Sequence, residues 1–357
     1  MKPFEALTYR GQLDRLRRLA LEALRGYGIN EPRLTALLHE DNTTFRVDSA
    51  SGERYVLRIH RPSRKTVAEV RSEMTWLTFL RQETDLVVPH PVPKRDGDLV
   101  AVVGVEGVPE PRMCVLLRWL PGRFVDKGLK PSHLERVGAF MARLHQSAAQ
   151  FSPPDDFVRG RLDNLYGKPR GISEALARQQ VDNPRDEATA IHHVTEVCSP
   201  EDGARVEKLI RKIREVQRAV GQGPETFNLI HGDLHQENYL FHKGQVRAID
   251  FDDCGYGYHL YDLAVTAYEV SWRDNSASLR ASLLDGYRSV RPLSREHEGY
   301  LQTYMDLRDL QMMLWALEMR DHPGFRDRWE GWVKETLEYI REITEPVDLP
   351  PKKWTQG

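Results

Sequence analysis

The hydrophobic pattern of this chain changes period near Pro121-Gly122, and that change limits the folds open to it. Before this point the pattern is strand-like. Phe45-Arg46-Val47-Asp48 and Tyr55-Val56-Leu57-Arg58-Ile59 read as two strands joined through a turn that contains Gly52. Residues 66–81 switch to helical spacing, with Val70, Met74, Leu77 and Leu80 on one face, and residues 99–103 and 113–117 return to strand character. A helix precedes all of these at residues 11–28, where Leu13, Leu16, Ala20, Ala23 and Leu24 recur at three- and four-residue steps and Gly26 and Gly28 supply the stop. The expected N-terminal unit is a small mixed β-sheet with one main helix embedded between its strand pairs.

Beyond Pro121 the pattern is mainly helical. Residues 133–147, 201–220, 260–272, 277–287, 296–319 and 328–344 carry helical periodicity, and a weaker stretch at 172–180 lies in a polar, Pro- and Asp-rich region. The chain therefore reads as an α+β protein of two lobes: an N-lobe over 1–120, a C-lobe over 121–346, and a loosely attached tail at 347–357.

One segment interrupts the helices. Phe227–Ile230 is a short apolar run that ends at His231-Gly232-Asp233, and Tyr239-Leu240-Phe241 with residues 246–249 forms a hairpin through Lys243-Gly244. That geometry puts residues 231–238 on a loop at a strand end and Asp250 at the end of the next strand. Asp233, Asn238 and Asp250 are hard oxygen donors of the kind Mg²⁺ takes, and Mg²⁺ leaves positions open for phosphates. Asn238 and Asp250 suit the metal, which frees Asp233 to orient a hydroxyl and accept its proton. Asp and Asn in such loops are more often simple turn formers; here the His-Gly-Asp opening, the Asn five residues on, the hairpin and Ile249-Asp250-Phe251 coincide.

His231-Gly232-Asp233-Leu234-His235, Asn238 and Ile249-Asp250-Phe251-Asp252 together resemble the aminoglycoside phosphotransferase/choline kinase superfamily, with members such as homoserine kinases and stress-response kinases nearby. The resemblance covers most of the chain and implies a two-lobed protein-kinase-like fold. It implies Asp233 as catalytic base, Asn238 and Asp250 as metal ligands, and His231 and Asp262 as structural braces of the catalytic loop. It also implies a basic residue on the third strand, Arg58, that holds ATP phosphates and pairs with Glu73, or with Glu69 one turn earlier. Arg58 stands where lysine is usual, and Arg is not a neutral substitute, being planar and bidentate. No G-x-G-x-x-G is present; Glu40 to Phe45 occupies that place, so Asn42 and Thr43 become the expected phosphate contacts. The lobe connection falls at residues 116–120.

In such a kinase the acceptor lies between the catalytic loop and the C-lobe helices. His235, Asp252, Asp253 and residues 256–258 are expected at its mouth, with Glu269 near, and their acidity points to an amine-bearing hydroxyl acceptor. Trp272, Trp315, Trp329 and Trp332, with Met312 and Met313, could form a cage for a quaternary ammonium, although helical spacing favours core packing for them. His231, Asp233 and His235 also echo a binuclear phosphoesterase, but no G-N-H-[DE] segment follows. His192-His193 reads as solvent-facing.

Composition narrows the partners. Across 357 residues, 51 basic side chains stand against 53 acidic ones, which gives no support to a nucleic-acid surface working by bulk charge. Cys114, Cys198 and Cys254 form no CxxC pair and fit a reducing cytoplasm, while the N-terminal residues show no secretory h-region and no run of ~18 apolar residues suggests a membrane span. The expected activity is ATP- and Mg²⁺-dependent phosphoryl transfer to a small-molecule hydroxyl. A stress-response-type protein Ser/Thr kinase is the alternative, and a nucleotide-binding pseudokinase a more distant one.

Overall fold

The structure, a computed structural model, describes residues 2–40, 42–62, 64–166, 184–320 and 325–344. The weak helix expected at 172–180 and the tail at 347–357 lie outside the described residues, as does Asp41 of the covering turn.

In the N-lobe, α1 (Tyr9–Gly26) lies on a five-stranded sheet built from β1 (Arg33–His39), β2 (Thr43–Asp48), β3 (Arg54–Ile59), β4 (Val100–Val103) and β5 (Arg112–Arg118), in the order β1-β2-β3-β5-β4. The sheet is antiparallel throughout rather than mixed. Its strands come as two hairpin groups, and the link that carries α2 (Val67–Glu83) leads to the far edge, so β5 meets β3 in the antiparallel sense. β1 escapes the sequence pattern for a physical reason. It is an edge strand with an irregularity between Ala36 and Leu38, and Leu37 and Leu38 both face outwards, so it lacks a clean alternation.

The period of two decides which face each side chain joins. Phe45, Val47, Tyr55, Leu57, Ile59, Cys114 and Leu116 pack under Leu16, Leu19, Ala20, Ala23 and Leu24 of α1 as one core. Val56, Val115 and Leu117 belong to the second core, with Val70, Met74 and Leu77 of α2. Arg58, between Leu57 and Ile59, is therefore carried to the α2 face of the sheet. α2 itself starts at an N-cap, Thr66, whose side chain accepts from the Glu69 N–H while the Glu69 carboxylate accepts from the Thr66 N–H. That capping box employs Glu69 and leaves Glu73, one turn on, for Arg58.

The C-lobe contains α3 (Pro131–Gln150), α4 (Pro184–Val197), α5 (Pro200–Val220), β6 (Phe227–Ile230), the hairpin β7 (Tyr239–His242) and β8 (Gln245–Ala248), and β9 (Gly255–Tyr258), which pairs with β6. Five further helices follow: α6 (His259–Glu269), α7 (Ser276–Arg288), α8 (Arg295–Gly299), α9 (Leu301–Glu318) and α10 (Trp329–Thr344). The helix expected to reach 272 stops at Glu269, where Ser271 turns its N–H and hydroxyl back onto the Tyr268 carbonyl. The long helix expected at 296–319 is two, because Ser294 caps a short first turn and the Tyr300 N–H closes onto the His297 carbonyl.

The lobes join through residues 119–123, which lean on the β7–β8 hairpin. Arg123 exchanges both backbone hydrogen bonds with Phe241 (3.1 and 3.0 Å), and a Cβ at Gly122 would lie 2.7 Å from Leu240 Cβ. Among the described residues no helix is long and apolar enough to cross a membrane.

Candidate active site

The loop that follows β6 is braced from below. Asp262, fully buried in the first turn of α6, accepts from the backbone N–H groups of His231 (2.9 Å) and Gly232 (2.6 Å) and contacts His145 Nε2 at 3.0 Å. Burial pushes its carboxyl up, while His231 and those N–H groups pull the other way. Gly232 adopts φ 81°, and a Cβ there would meet the Asp253 carbonyl at 2.9 Å, so only glycine fits the turn. His231, buried and kept neutral by burial, reaches the Ile249 carbonyl through Nε2 at 3.0 Å and so ties the loop to the strand end before Asp250. His231 and Asp262 thus occupy bracing positions.

Asp233 stands above this brace. Arg308 Nη2 donates to its Oδ1 at 2.6 Å, and Asn238 Nδ2 donates to its Oδ2 at 3.2 Å and to its carbonyl at 2.9 Å. His235 Nε2 lies 3.4 Å from Oδ2. Burial alone would raise the Asp233 carboxyl, but the Arg308 guanidinium and His235 outweigh it and hold the group well below the usual carboxylate range. Burial lowers His235 and the Asp233 carboxylate more than offsets this, leaving the imidazole raised.

Asn238 and Asp250 are brought side by side by the hairpin, since the Ile249 N–H donates to the Asn238 carbonyl at 2.9 Å. Asp250 adopts a left-handed conformation (φ 59°, ψ 66°), rare for a residue with a Cβ and a local strain of the kind that gathers at functional sites. Its carboxylate faces Arg58 Nη1 at 3.3 Å. The low-dielectric walls of the cleft push its carboxyl up against the pull of Arg58, and the Asp252 and Asp233 charges add to the rise.

Arg58 pairs with Glu73 at 2.6 Å, both side chains nearly or fully buried, and that charge holds the guanidinium firmly protonated although burial opposes it. Asn42 also reaches the cleft: its Nδ2 donates to Asp252 Oδ2 at 3.1 Å and its Oδ1 accepts from the Arg61 N–H at 3.3 Å. Thr43 is not brought to this group. Its hydroxyl bonds His39 Nδ1 at 2.7 Å, and His39 in turn contacts Gln12, on the α1 side of the lobe. Asp252 and Asp253, expected at the acceptor mouth, instead face the N-lobe, at 3.2 and 3.7 Å from Lys65 Nζ.

The C-lobe helices around Glu269 and Asp309 line a half-open pocket of about 220 Å³. Glu269, Trp272, Asp309, Met312, Trp332 and Glu335 are among its walls. Burial pushes the Glu269 carboxyl up, while Arg308 and His235 pull it down. Trp272, Trp332, Met312 and Met313 thus line a cavity, whereas Trp315 packs against Phe325 at 4.8 Å and Trp329 joins the core. His192 is exposed as expected, but His193 Nδ1 contacts the Tyr166 hydroxyl at 3.0 Å.

The sequence profile of the phosphotransferase enzyme family matches residues 34–300. The chain belongs to that family. Amicoumacin kinase of Bacillus subtilis is 23% identical over 256 residues, which is 70% of this chain and 67% of that one. Among solved structures, a microcompartment-associated aminopropanol kinase superposes with a TM-score of 0.69 at 24% identity, covering 92% of this chain and 97% of that one. The amicoumacin kinase hAmiN, solved with AMP-PNP, Ca²⁺ and Ami, gives a TM-score of 0.71 at 20% identity over 96% and 98%. The fold is kinase-like, and the chain is a phosphotransferase enzyme.

Two charged residues of this phosphotransferase had no motif to announce them. Arg308 lies in α9, 75 residues beyond Asp233, and its one trace in the sequence is the charged cluster Asp306, Arg308 and Asp309 in the middle of a largely apolar helix. Lys65 sits in the short link between β3 and α2, where a lone lysine reads as surface.

Proposed function

We propose that this phosphotransferase moves the γ-phosphate of MgATP to a hydroxyl of a small, amine-bearing acceptor, with Asp233 as the catalytic base. The carrying observation is the Asp233 carboxylate itself. It is held ionised by Arg308 and oriented by Asn238, and the hairpin links it to Asp250 and thence to Arg58. A carboxylate kept charged and fixed at two oxygens is suited to take a proton from a hydroxyl as that oxygen attacks phosphorus.

The donor set fits the nucleotide and its cation. Asn238 has its carboxamide N–H groups engaged, which turns its oxygen into the ligand atom, and Asp250 contributes a second hard oxygen. Among the described residues none accepts a hydrogen bond from the buried Arg58 Nε, so the guanidinium keeps capacity for a phosphate beyond its pair with Glu73. When bound, the cation neutralises charge on the phosphates. The chain's own residues do the rest: Arg58, set by Glu73, steadies the phosphates, and Arg308 and Asn238 fix Asp233.

The acceptor class follows from the pocket. Its volume is below the ~300–1,000 Å³ of drug-sized sites, which favours a metabolite over a polypeptide. Glu269 supplies a carboxylate for an ammonium, and Trp272 and Trp332 supply aromatic walls of the kind cations favour. A screen of amino alcohols, hydroxy-amino acids and aminoglycosides, monitored by ADP release, tests this. Turnover with an amine-bearing alcohol but not with its deaminated analogue is expected; equal turnover of both would remove the amine from the proposal. Asp233→Asn should lose roughly 10²–10⁴-fold in kcat and still bind MgATP, whereas Asp250→Ala should lose nucleotide binding as well.

A further inference from the structure

The N-lobe wall of the cleft carries a second cation beside Arg58, and a carboxylate of the chain itself fills the space between them. Asp252 lies 3.1 Å from Asn42 Nδ2, 3.2 Å from Lys65 Nζ and 4.0 Å from Arg58 Nη2. Lys65 also donates to the Asp252 carbonyl, and its side chain is only 7% exposed. One amide donor and two cations, from three separate N-lobe positions, thus face one carboxylate. His60 adds an independent sign. It is 2% exposed, both its ring nitrogens lack a hydrogen-bond partner among the described residues, and Nδ1 lies 3.7 Å from Asp252 Oδ1. Burial drives its pKa down to about 3, so it is neutral and offers Asp252 no charge.

We propose that Lys65 is a nucleotide-phosphate ligand, and that Asp252 occupies its place as an internal anion which an arriving phosphate displaces. The inference rests on the nucleotide-dependent reading above and names a residue that reading does not use. Physically, a lysine ammonium and an arginine guanidinium facing one carboxylate make a site for two or more negative oxygens. A phosphate chain offers more such oxygens than a carboxylate. The backbone around Asp252 is anchored independently of its side chain, because Arg159 donates to the carbonyls of Asp252 (2.6 Å) and Cys254 (2.7 Å). The carboxylate can therefore leave the cations by side-chain rotation while the turn stays in place. The same contacts join the N-lobe to the turn after Asp250, and phosphate entry exchanges them for contacts to the nucleotide.

The test is calorimetric binding of tripolyphosphate, AMP-PNP and adenosine in EDTA, which removes any role of Asp252 as a cation ligand. Asp252→Asn keeps the shape and removes the competing charge, so tripolyphosphate should bind roughly tenfold tighter than to wild type, about the effect of one charge-assisted contact. Lys65→Met should bind tripolyphosphate and AMP-PNP roughly tenfold more weakly with adenosine unchanged. Thermal melts confirm that each variant is folded, and Asp252→Ser serves if Asp252→Asn does not fold. Wild-type affinity in the Asp252 variant, or unchanged phosphate binding in Lys65→Met, would overturn the inference alone. A wild-type chain that binds neither AMP-PNP nor tripolyphosphate in EDTA would overturn this inference, and one that still fails to bind AMP-PNP once Mg²⁺ is restored would overturn the proposed function as well.

Discussion

Arg308 Nη2, from the middle of α9, donates to Asp233 Oδ1 at 2.6 Å, so the carboxylate expected to act as base is half of an ion pair. The pair has two effects. It keeps Asp233 ionised, and it fixes the orientation of the carboxylate, with Oδ1 on Arg308 and Oδ2 held by Asn238 beside His235. Loss of such positioning costs rate even when the base itself remains. Arg308→Ala should lower kcat roughly 10–100-fold with a smaller change in the KM for ATP. Added guanidinium should restore part of the loss. A kcat within twofold of wild type, or a loss confined to nucleotide KM, would show that the pair does not position the base.

The buried Arg58–Glu73 pair allows the roles of stability and phosphate binding to be separated. Removing one partner leaves the other charge uncompensated inside the lobe, at about 3–5 kcal/mol. Arg58→Met should therefore lower the melting temperature and abolish nucleotide binding together. Replacing both residues, as Arg58→Met with Glu73→Leu, removes the stranded charge. The double variant should regain most of the stability and none of the binding. If it regains neither, the pair contributes through packing that the hydrophobic replacements do not reproduce.

These residues differ in how far the sequence disclosed them. Asp233, Asn238 and Asp250 lie within one strand–loop–hairpin unit, so their convergence follows from local geometry that short spacings encode. Arg58 and Glu73 were legible only through the family resemblance, which left Glu69 as a second partner; the capping box, which the structure adds, shows why Glu69 is not it. Arg308 and Lys65 reach the cleft only through packing between elements distant in the chain, where one charged residue looks like any other. The strand β1 was hidden for the opposite reason: as an edge strand it has little to bury. Thr43 was placed at the phosphates by its position in a turn, yet it is buried and its hydroxyl serves His39.

Two helices of the C-lobe pack almost backbone to backbone. α3 and α7 cross at Gly138 and Gly286, where a Cβ on Gly286 would run into the Glu135 carbonyl and one on Gly138 into the Leu283 carbonyl. Main-chain atoms cannot rotate aside, so the helices must separate. Gly286→Ala should destabilise the enzyme by about 1–3 kcal/mol or more, despite the gain in helix propensity that the same change gives elsewhere. Gly299→Ala, which meets nothing within 4 Å, is the control and should leave the melting temperature close to wild type. Equal melting temperatures for the two variants would contradict the close approach.

Helix α10 offers a pH test. Arg341 of α10 donates to both carboxylate oxygens of Asp202 in the first turn of α5, Nε to Oδ1 and Nη2 to Oδ2, each at 2.8 Å. The Arg341 hydrogen bonds lower the Asp202 carboxyl below its ordinary value, against a smaller opposing effect of burial, and Ser199 helps. A carboxyl depressed in the folded state binds its proton less readily there than in the unfolded chain. Its stabilisation is therefore complete above the unfolded pKa of ~4 and disappears as pH falls through the lower folded value. Arg341→Met should lower the melting temperature at neutral pH, and its curve should approach that of wild type as Asp202 becomes protonated in both. Thermal melts from pH 7 down to the acid limit of reversibility measure this. Two curves that stay parallel through the acid range would show that the pair does not couple the docking of α10 to the charge on Asp202.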